Sequence, residues 1–333
     1  MKRIKWLAGA MAAVLLLTRP EAAVNGAREA MAHWYYAVAP SLFPFMALMP
    51  LLTCEAALSA YGSALGGIME RAFRLPGAAA SALVIGMAAG SPAGCVAAAR
   101  VAGRCRMSRG QYERLSLACC GLSPAFLISG VGAAMLGDPA AGRLLLRSQL
   151  LSQVCLLWLL IPLCRDGGRL EPSTIDESGA APMAGAVGAI LSVCGYMTAF
   201  GALAAAMGEL AGPAAGGALL CVMDVTSGAR LVCGSAMELP GKLLALSALA
   251  GATGACVCAQ NLAAIRRVMD VKVWKFALVR CAAGLIAMGM TALQLAVGPR
   301  LPDIPPVAAV KLSCIFVCLM AVPALVRLKK PVS

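Results

Sequence analysis

Long apolar stretches without a charged residue alternate along this chain with short basic connectors. A helix needs about 20 such residues to cross the roughly 30 Å hydrocarbon core of a bilayer. Six stretches reach or approach that length, and they cover residues 30–54, 75–99, 115–137, 178–208, 243–265 and 281–299. Shorter ones cover residues 148–164, 312–326 and 6–18. Since the strand-like alternation of a barrel is missing, the pattern predicts an all-α polytopic membrane protein.

Two of these stretches have features of re-entrant hairpins. Residues 75–99 are flanked by arginines at both ends, so both ends favour the same side of the membrane. The helix breakers of a Gly-Ser-Pro-Ala-Gly sequence at residues 90–94 mark the tip. Residues 243–265 are likewise flanked by basic residues, and they contain Gly-Ala-Thr-Gly at 251–254. Both stretches are therefore predicted to turn back inside the bilayer.

The remaining stretches predict eight crossings and two similar halves. The crossings are expected near residues 4–18, 34–54, 115–136, 143–163, 184–208, 212–232, 281–298 and 307–326. A polar linker at 165–182 separates an N-terminal half, 1–164, from a C-terminal half, 183–333. Each half carries two crossings, a broken hairpin, a basic loop and two more crossings, which favours a transporter over an inert helical scaffold.

Composition and charge agree with a membrane protein and give it an orientation. Of the 333 residues, 61% are hydrophobic and only 13% are charged, which is unlike a soluble globular domain. The net charge of +13 comes largely from basic connectors and tails. By the positive-inside rule these basic residues are expected on the cytoplasmic side of the membrane, in contact with anionic lipid headgroups. We predict no nucleic-acid partner. Two basic clusters are expected in cytoplasmic connectors: Arg100, Arg104, Arg106, Arg109 and Arg114, and then Arg266, Arg267, Lys272, Lys275 and Arg280.

The chain lacks the residues of common enzyme and metal sites. It has one histidine, His33, and no phosphate-binding loop, zinc-protease motif or nucleophile elbow, so no catalytic activity, metal or cofactor is predicted. The fifteen cysteines lie mostly within apolar stretches and are interpreted as small packing residues. Residues 1–23 resemble a signal peptide in part, but Glu21 disfavours cleavage, and a retained first helix is preferred.

Asp224 is the strongest single candidate for a functional residue. It lies inside an apolar stretch and precedes Val-Thr-Ser-Gly, and intramembrane carboxylates are rare and usually functional. It could hold a coupling proton or cation, or form a structural ion pair with Arg230. Thr226 and Ser227 are grouped with it as candidate binding residues.

Other candidates lie where the chain is broken. Ser91-Pro92, followed by Gly94, and Ser123-Pro124 each place a hydroxyl beside a residue that frees a backbone carbonyl, so unwound backbone and helix N-termini there could bind an anion. Serine is also common as packing glue between membrane helices, and both interpretations stay open. Gln260 and Asn261 add amide groups that suit a carboxylate or heteroaromatic ligand.

The order of these motifs resembles the YlbJ (SpoVV) sporulation integral membrane proteins. The resemblance runs from about residue 30 to 297 and rests on sequences that begin at Pro40, Leu75, Gly90, Ser123, Gly137, Asp224 and Ala259. The family pattern differs at four places: an aromatic residue replaces Ser91, two asparagines replace Cys120-Gly121, glutamate replaces Asp224 and histidine replaces Cys258.

The resemblance implies nucleoside-recognition (Gate) domains and transport of dipicolinic acid from the mother cell during endospore formation. It also implies a location in the outer forespore membrane. Two alternatives stay open: a non-conducting structural or partner-binding membrane protein of sporulation, and a nucleoside-type carrier. A homo-oligomer or a sporulation membrane partner stays open as well.

Overall fold

The structure is a computed structural model that describes residues 2–164, 167–170 and 182–297. The described residues form helices and connectors, with one isolated bridge between Ser108 and Arg169. The first ten helices are α1 Lys2–Thr18, α2 Pro20–His33, the π-helical π1 Trp34–Val38, α3 Ala39–Leu52, α4 Glu55–Phe73, α5 Ala79–Ala89, α6 Ala93–Arg104, α7 Arg109–Ala118, the π-helical π2 Phe126–Met135 and α8 Pro139–Leu159. The others are α9 Pro182–Met223, α10 Val225–Gly234, α11 Leu239–Ala252, α12 Gly254–Ile265 and α13 Val273–Val297.

Local sequence signals explain several helix boundaries. The side chain of Ser108 begins α7 by accepting from the backbone of Gln111, whose own side chain caps Ser108 in return. Asp138 caps α8 at its first turn, where Pro139 suits a position that needs no N–H donor. Gly212 has a φ of 79° and divides α9 into two segments.

Four apolar helical stretches are long enough to cross a membrane, judged by length and composition in the described residues. They are Pro20–Leu52, Met183–Gly212, Leu239–Ile265 and Val273–Val297. Large apolar side chains such as Trp158, Leu285 and Leu293 are exposed on the surface of the bundle, as lipid contact requires. The chain is thus an all-α membrane protein.

The contacts define two ends of the bundle. At the basic end, where connectors 105–108 and 266–272 lie, Tyr112 donates to the Ile265 carbonyl at 3.0 Å and Lys275 pairs with Glu113 at 2.8 Å. At the opposite end, Arg19 before α2 pairs with Glu209 of α9 at 2.8 Å. Trp34, directly after α2, donates through Nε1 to the Ile190 carbonyl of α9 at 3.2 Å, so α2 and α9 run antiparallel.

Glycines allow the central helices to approach closely. A Cβ at Gly94 of α6 would lie 2.6 Å from the Gly86 Cα of α5, and one at Gly251 of α11 would lie 2.5 Å from the Gly284 Cα of α13. These are the small-residue interfaces that membrane helices use. The close approach of Gly86 and Gly94 packs α5 against α6 as an antiparallel helical hairpin. In contrast, α11 and α12 do not fold back on each other but follow one another along Leu239–Ile265.

Six of the ten residues in the two basic clusters lie in helices instead of connectors, and two of these six are buried. Arg114 and Arg280 were assigned to connectors, but they lie in α7 and α13 and are 2% and 3% exposed. α13 begins at Val273, eight residues before the predicted crossing at 281. Most of the 165–182 linker and the predicted 307–326 crossing lie outside the described residues. The total of eight crossings, the two re-entrant hairpins and the division into halves stay predictions.

Candidate functional site

The tip of the α5–α6 hairpin rests on the break between α7 and π2. Gly90 ends α5 with a φ of +78°, and the Ser91–Pro92 peptide bond is cis. The Ser91 N–H donates to the Gly121 carbonyl at 2.6 Å. A Cβ at Gly90 would lie 2.5 Å from the Ser123 nitrogen, so only glycine fits this contact.

The α7–π2 break is held open by a side chain of α8. Gln149 accepts from the Leu122 N–H at 3.0 Å and donates to the Leu122 carbonyl at 2.8 Å, which satisfies both backbone groups inside the bundle. Ser123 accepts from the Phe126 N–H at 3.2 Å and begins the next helical segment, with Pro124 in its first turn.

Asp224 forms the second tight turn, between α9 and α10. Its Oδ2 accepts from both the N–H and the hydroxyl of Ser227 at 2.8 Å, so Asp224 is the N-cap of α10. Thr226 lies 3.4 Å from the His33 ring through Oγ1 and Nε2. Arg230 pairs with Glu29 at 3.8 Å, while no ion pair joins Arg230 to Asp224 in the described chain.

A fourth break lies between α11 and α12. Thr253 and Gly254 both have a φ of +68°. Asn261 of α12 is fully buried and donates to the Ser91 hydroxyl at 3.0 Å, which links this helix to the first hairpin tip. Gln260 donates to the Cys256 sulfur at 3.3 Å.

These breaks enclose a cavity of about 380 Å³ together with α2, π1, α3 and α9. Its polar and aromatic lining comes from the first three breaks, from α2, α3, α10 and α12, and from both π-helical segments. It consists of His33, Tyr36, Ser41, Ser91, Ser123, Phe126, Ser129, Asp224, Thr226 and Gln260. π-helical turns occur frequently at functional sites. Among the described residues no three His, Cys, Asp or Glu side chains come together as metal ligands.

Five of the ten sequence candidates line this cavity, namely Ser91, Ser123, Asp224, Thr226 and Gln260. The other five lie beside it. Asn261 donates a hydrogen bond to the Ser91 hydroxyl, and the Ser227 hydroxyl donates one to the Asp224 carboxylate. Gly94 lies against α5 and α7, while Pro92 and Pro124 begin helical segments. Their roles in binding stay predictions.

The aromatic wall of the cavity was not predicted from the sequence pattern. His33 and Phe126 meet edge to face with ring centroids 6.4 Å apart, and Tyr36 lines the same space. A signal for His33 was available, because it is the single histidine of the chain and lies in an apolar stretch.

A second cavity, of about 530 Å³, lies towards the opposite end between α2, α9 and α10. Asn25, Glu29 and Arg230 give it a polar lining. Four residues line both cavities and so form a thin partition between them: His33, Met197, Asp224 and Thr226.

The sequence of this chain is similar to that of a known protein over part of its length. The chain is 31% identical over 130 residues to the sporulation integral membrane protein YlbJ of Bacillus subtilis (strain 168). The match covers 39% of this chain, which spans about a third (32%) of the length of that relative. No protein-family profile matches the chain, and no solved structure matches it. Over this matched part, the chain is therefore similar to a YlbJ-like integral membrane protein.

Proposed function

We propose that the chain is a membrane carrier or facilitator for a small anionic heteroaromatic metabolite, with dipicolinate as the substrate that the family resemblance implies. The observation that carries the proposal is the cavity that three chain breaks and α12 line inside the bundle. Broken helices of this kind surround the substrate sites of secondary transporters.

The shape of the cavity suits a single flat ring. Its volume of about 380 Å³ is at the lower end of the roughly 300–1,000 Å³ range of small-molecule sites. His33, Tyr36 and Phe126 provide aromatic faces and edges against which a pyridine ring can pack. The hydroxyl and amide groups around them can hold carboxylate oxygens.

The helix ends at the cavity favour an anion. Four helical segments begin at its wall: α6 after Ser91, π2 at Phe126, α10 at Val225 and α12 at Gly254. Each N-terminus acts as about half a positive charge. Asp224 is the one acidic residue of the lining, so about one positive charge remains for a carboxylate of the substrate.

The proposal also includes a membrane topology, which is argued from the helix ends that lie close together. Arg104 at the end of α6 donates to the Thr53 carbonyl, and Gln111 of α7 donates to the Arg74 carbonyl at 3.1 Å, so both ends of α4 lie at the basic end. α4 then lies along the membrane surface, and the α5–α6 hairpin enters from that side. By the positive-inside rule this side is cytoplasmic.

The second hairpin enters from the other side. It consists of the second segment of α9 with α10, and Asp224 is its tip, while α11 and α12 together cross. Residues 212–232 and 243–265 thus exchange the roles that the sequence predicted for them. Seven crossings fall in the described residues, and 307–326 would be the eighth. The halves are then inverted repeats, although both basic connectors stay cytoplasmic.

The biological setting is proposed from similarity. The relative is named as a sporulation integral membrane protein, and we propose a role in endospore formation for this chain, in the outer forespore membrane. A homo-oligomer or a sporulation partner fits the proposal but is not required by it.

The experiment that tests the proposal is flux of labelled dipicolinate into proteoliposomes that contain the purified chain. Ser123→Ala removes a cavity hydroxyl and a helix cap, and we expect the transport affinity to fall about tenfold, which corresponds to about 1.4 kcal/mol. Ser192→Ala is the matched control, because the Ser192 hydroxyl lies on an exposed face of α9 and bonds within its own helix. No flux above empty liposomes would contradict the proposal and favour the non-conducting alternative, whereas uridine flux would favour the nucleoside-type carrier.

The coupling role predicted for Asp224 and its role as the α10 cap are separated in the same assay. Asparagine is as good an N-cap as aspartate, so Asp224→Asn preserves the α10 cap and removes the charge. If Asp224 carries the coupling proton, Asp224→Asn should lose proton-driven accumulation but keep passive exchange. If its role is the cap alone, Asp224→Asn should behave as wild type and Asp224→Ala should not.

A further inference from the structure

One guanidinium is buried in the middle of the bundle without an acidic partner. Arg280 of α13 is 3% exposed. It donates through Nη1 to the Leu117 carbonyl at 3.3 Å and through Nη2 to the Gly251 carbonyl. No carboxylate lies within ion-pair distance of it in the part of the chain that the structure describes. A charge at this depth is costly and by default functional.

The two acceptors share a position in the fold. Leu117 lies in the last turn of α7 and Gly251 in the last turn of α11, so both carbonyls belong to helices that end inside the bundle at a break. The last carbonyls of a helix lack intrahelical donors, and each C-terminus acts as about half a negative charge. Two such ends together balance the single charge of Arg280.

In secondary transporters, carbonyls of this type at half-helix C-termini are where a coupling metal cation binds. Building on the proposed transport function, we propose that the Arg280 guanidinium is a built-in cation at the meeting point of α7 and α11. It occupies the place of a coupling metal ion, and transport by this chain therefore needs neither Na⁺ nor K⁺.

A melting experiment on the purified full chain tests this occupancy without any need for transport. The apparent melting temperature is measured in choline, sodium, potassium and dilute guanidinium chloride at equal ionic strength. We expect the wild type to be insensitive to the change from choline to Na⁺ or K⁺. We expect Arg280→Ala to melt lower and to recover by about 2 °C or more in dilute guanidinium, which refills the site by mass action.

The controls exclude general effects of the salt. Arg267→Ala removes an exposed arginine in the connector before α13 and should gain nothing from guanidinium. A saturable stabilisation of the wild type by Na⁺ or K⁺ over choline overturns the proposal. If Arg280→Ala does not fold, Arg280→Lys is measured instead. The melting temperature of Arg280→Lys should not change with Na⁺ or K⁺. Stabilisation of Arg280→Lys by either metal ion overturns the proposal of a built-in cation.

Flux of dipicolinate supplies a separate readout. With choline in place of Na⁺ and K⁺ on both sides of the vesicle, the wild-type rate should be unchanged, and a loss of about tenfold or more overturns the proposal. Absence of flux under every condition contradicts the proposed transport function, whereas the melting experiment still decides whether Arg280 fills a cation site.

Discussion

A methyl group at Gly94 is expected to displace the first hairpin tip. The Cβ of Gly94→Ala would lie 2.6 Å from the Gly86 Cα and 2.7 Å from the Cys119 oxygen, about 0.7–0.8 Å inside the 3.4 Å at which ordinary contacts begin. Overpacking of this kind costs about 1–3 kcal/mol. The tip moves with α6, so the bonds of Ser91 to Gly121 and Asn261 lengthen by a similar distance.

Both stability and binding should report this change. The weakened bonds lower stability, and the displaced Ser91 hydroxyl weakens one hydrogen bond to the ligand; a bond worth about 0.5–1.5 kcal/mol lowers dipicolinate affinity up to about tenfold. The apparent melting temperature in detergent and isothermal titration with dipicolinate are the measurements. Gly67→Ala is the control, because Gly67 is an exposed α4 residue with nothing within 4 Å of an added Cβ. The reasoning is refuted if Gly94→Ala melts as the wild type does, or if Gly67→Ala loses as much stability.

Three further predictions concern the frame around the site. Gln149→Leu leaves the Leu122 N–H and carbonyl unpaired inside the bundle and should cost about 1–3 kcal/mol for each group, measured as a lower melting temperature. Gly284→Ala should destabilise the α11–α13 interface, because its Cβ would lie 2.7 Å from the Ala248 oxygen, whereas Gly289→Ala, with open space around it, should not; equal melting of the two variants would contradict this. An alkaline phosphatase fusion at residue 236 should be active, since the proposed topology places this connector outside; a cytoplasmic readout would restore the crossing at 212–232.

The sequence was sufficient to locate three of the four chain breaks and five of the ten polar and aromatic residues that line the cavity. Ser91 and Ser123 were selected because proline follows each, and Asp224 because it is an isolated carboxylate in an apolar stretch. These local signals work because backbone groups inside a membrane must find partners, so a break survives only where the fold supplies them. Gln149 is the partner at one break, and nothing in the sequence pattern linked it to Leu122.

Charge counting was less reliable for the roles of individual segments. It treated Arg280 as a connector residue, because a basic residue near the end of an apolar stretch is normally at the membrane surface. α13 instead begins at Val273 and carries Arg280 inward. Similarly, flanking charge does not distinguish a hairpin from a broken crossing when both contain glycine. The proposed topology separates them by packing, since α5 lies against α6 whereas α11 and α12 follow one another.

The breaks also separate charge within the bundle. A helix that is interrupted inside a membrane presents a negative end to one side of the break and a positive end to the other. Here the negative ends of α7 and α11 meet Arg280, and the positive ends of π2 and α12 meet the cavity. Because Arg280 already balances the negative ends, the positive ends are left for a ligand. In the proposed carrier, the same geometry that removes the need for a metal cation therefore prepares the cavity for an anion.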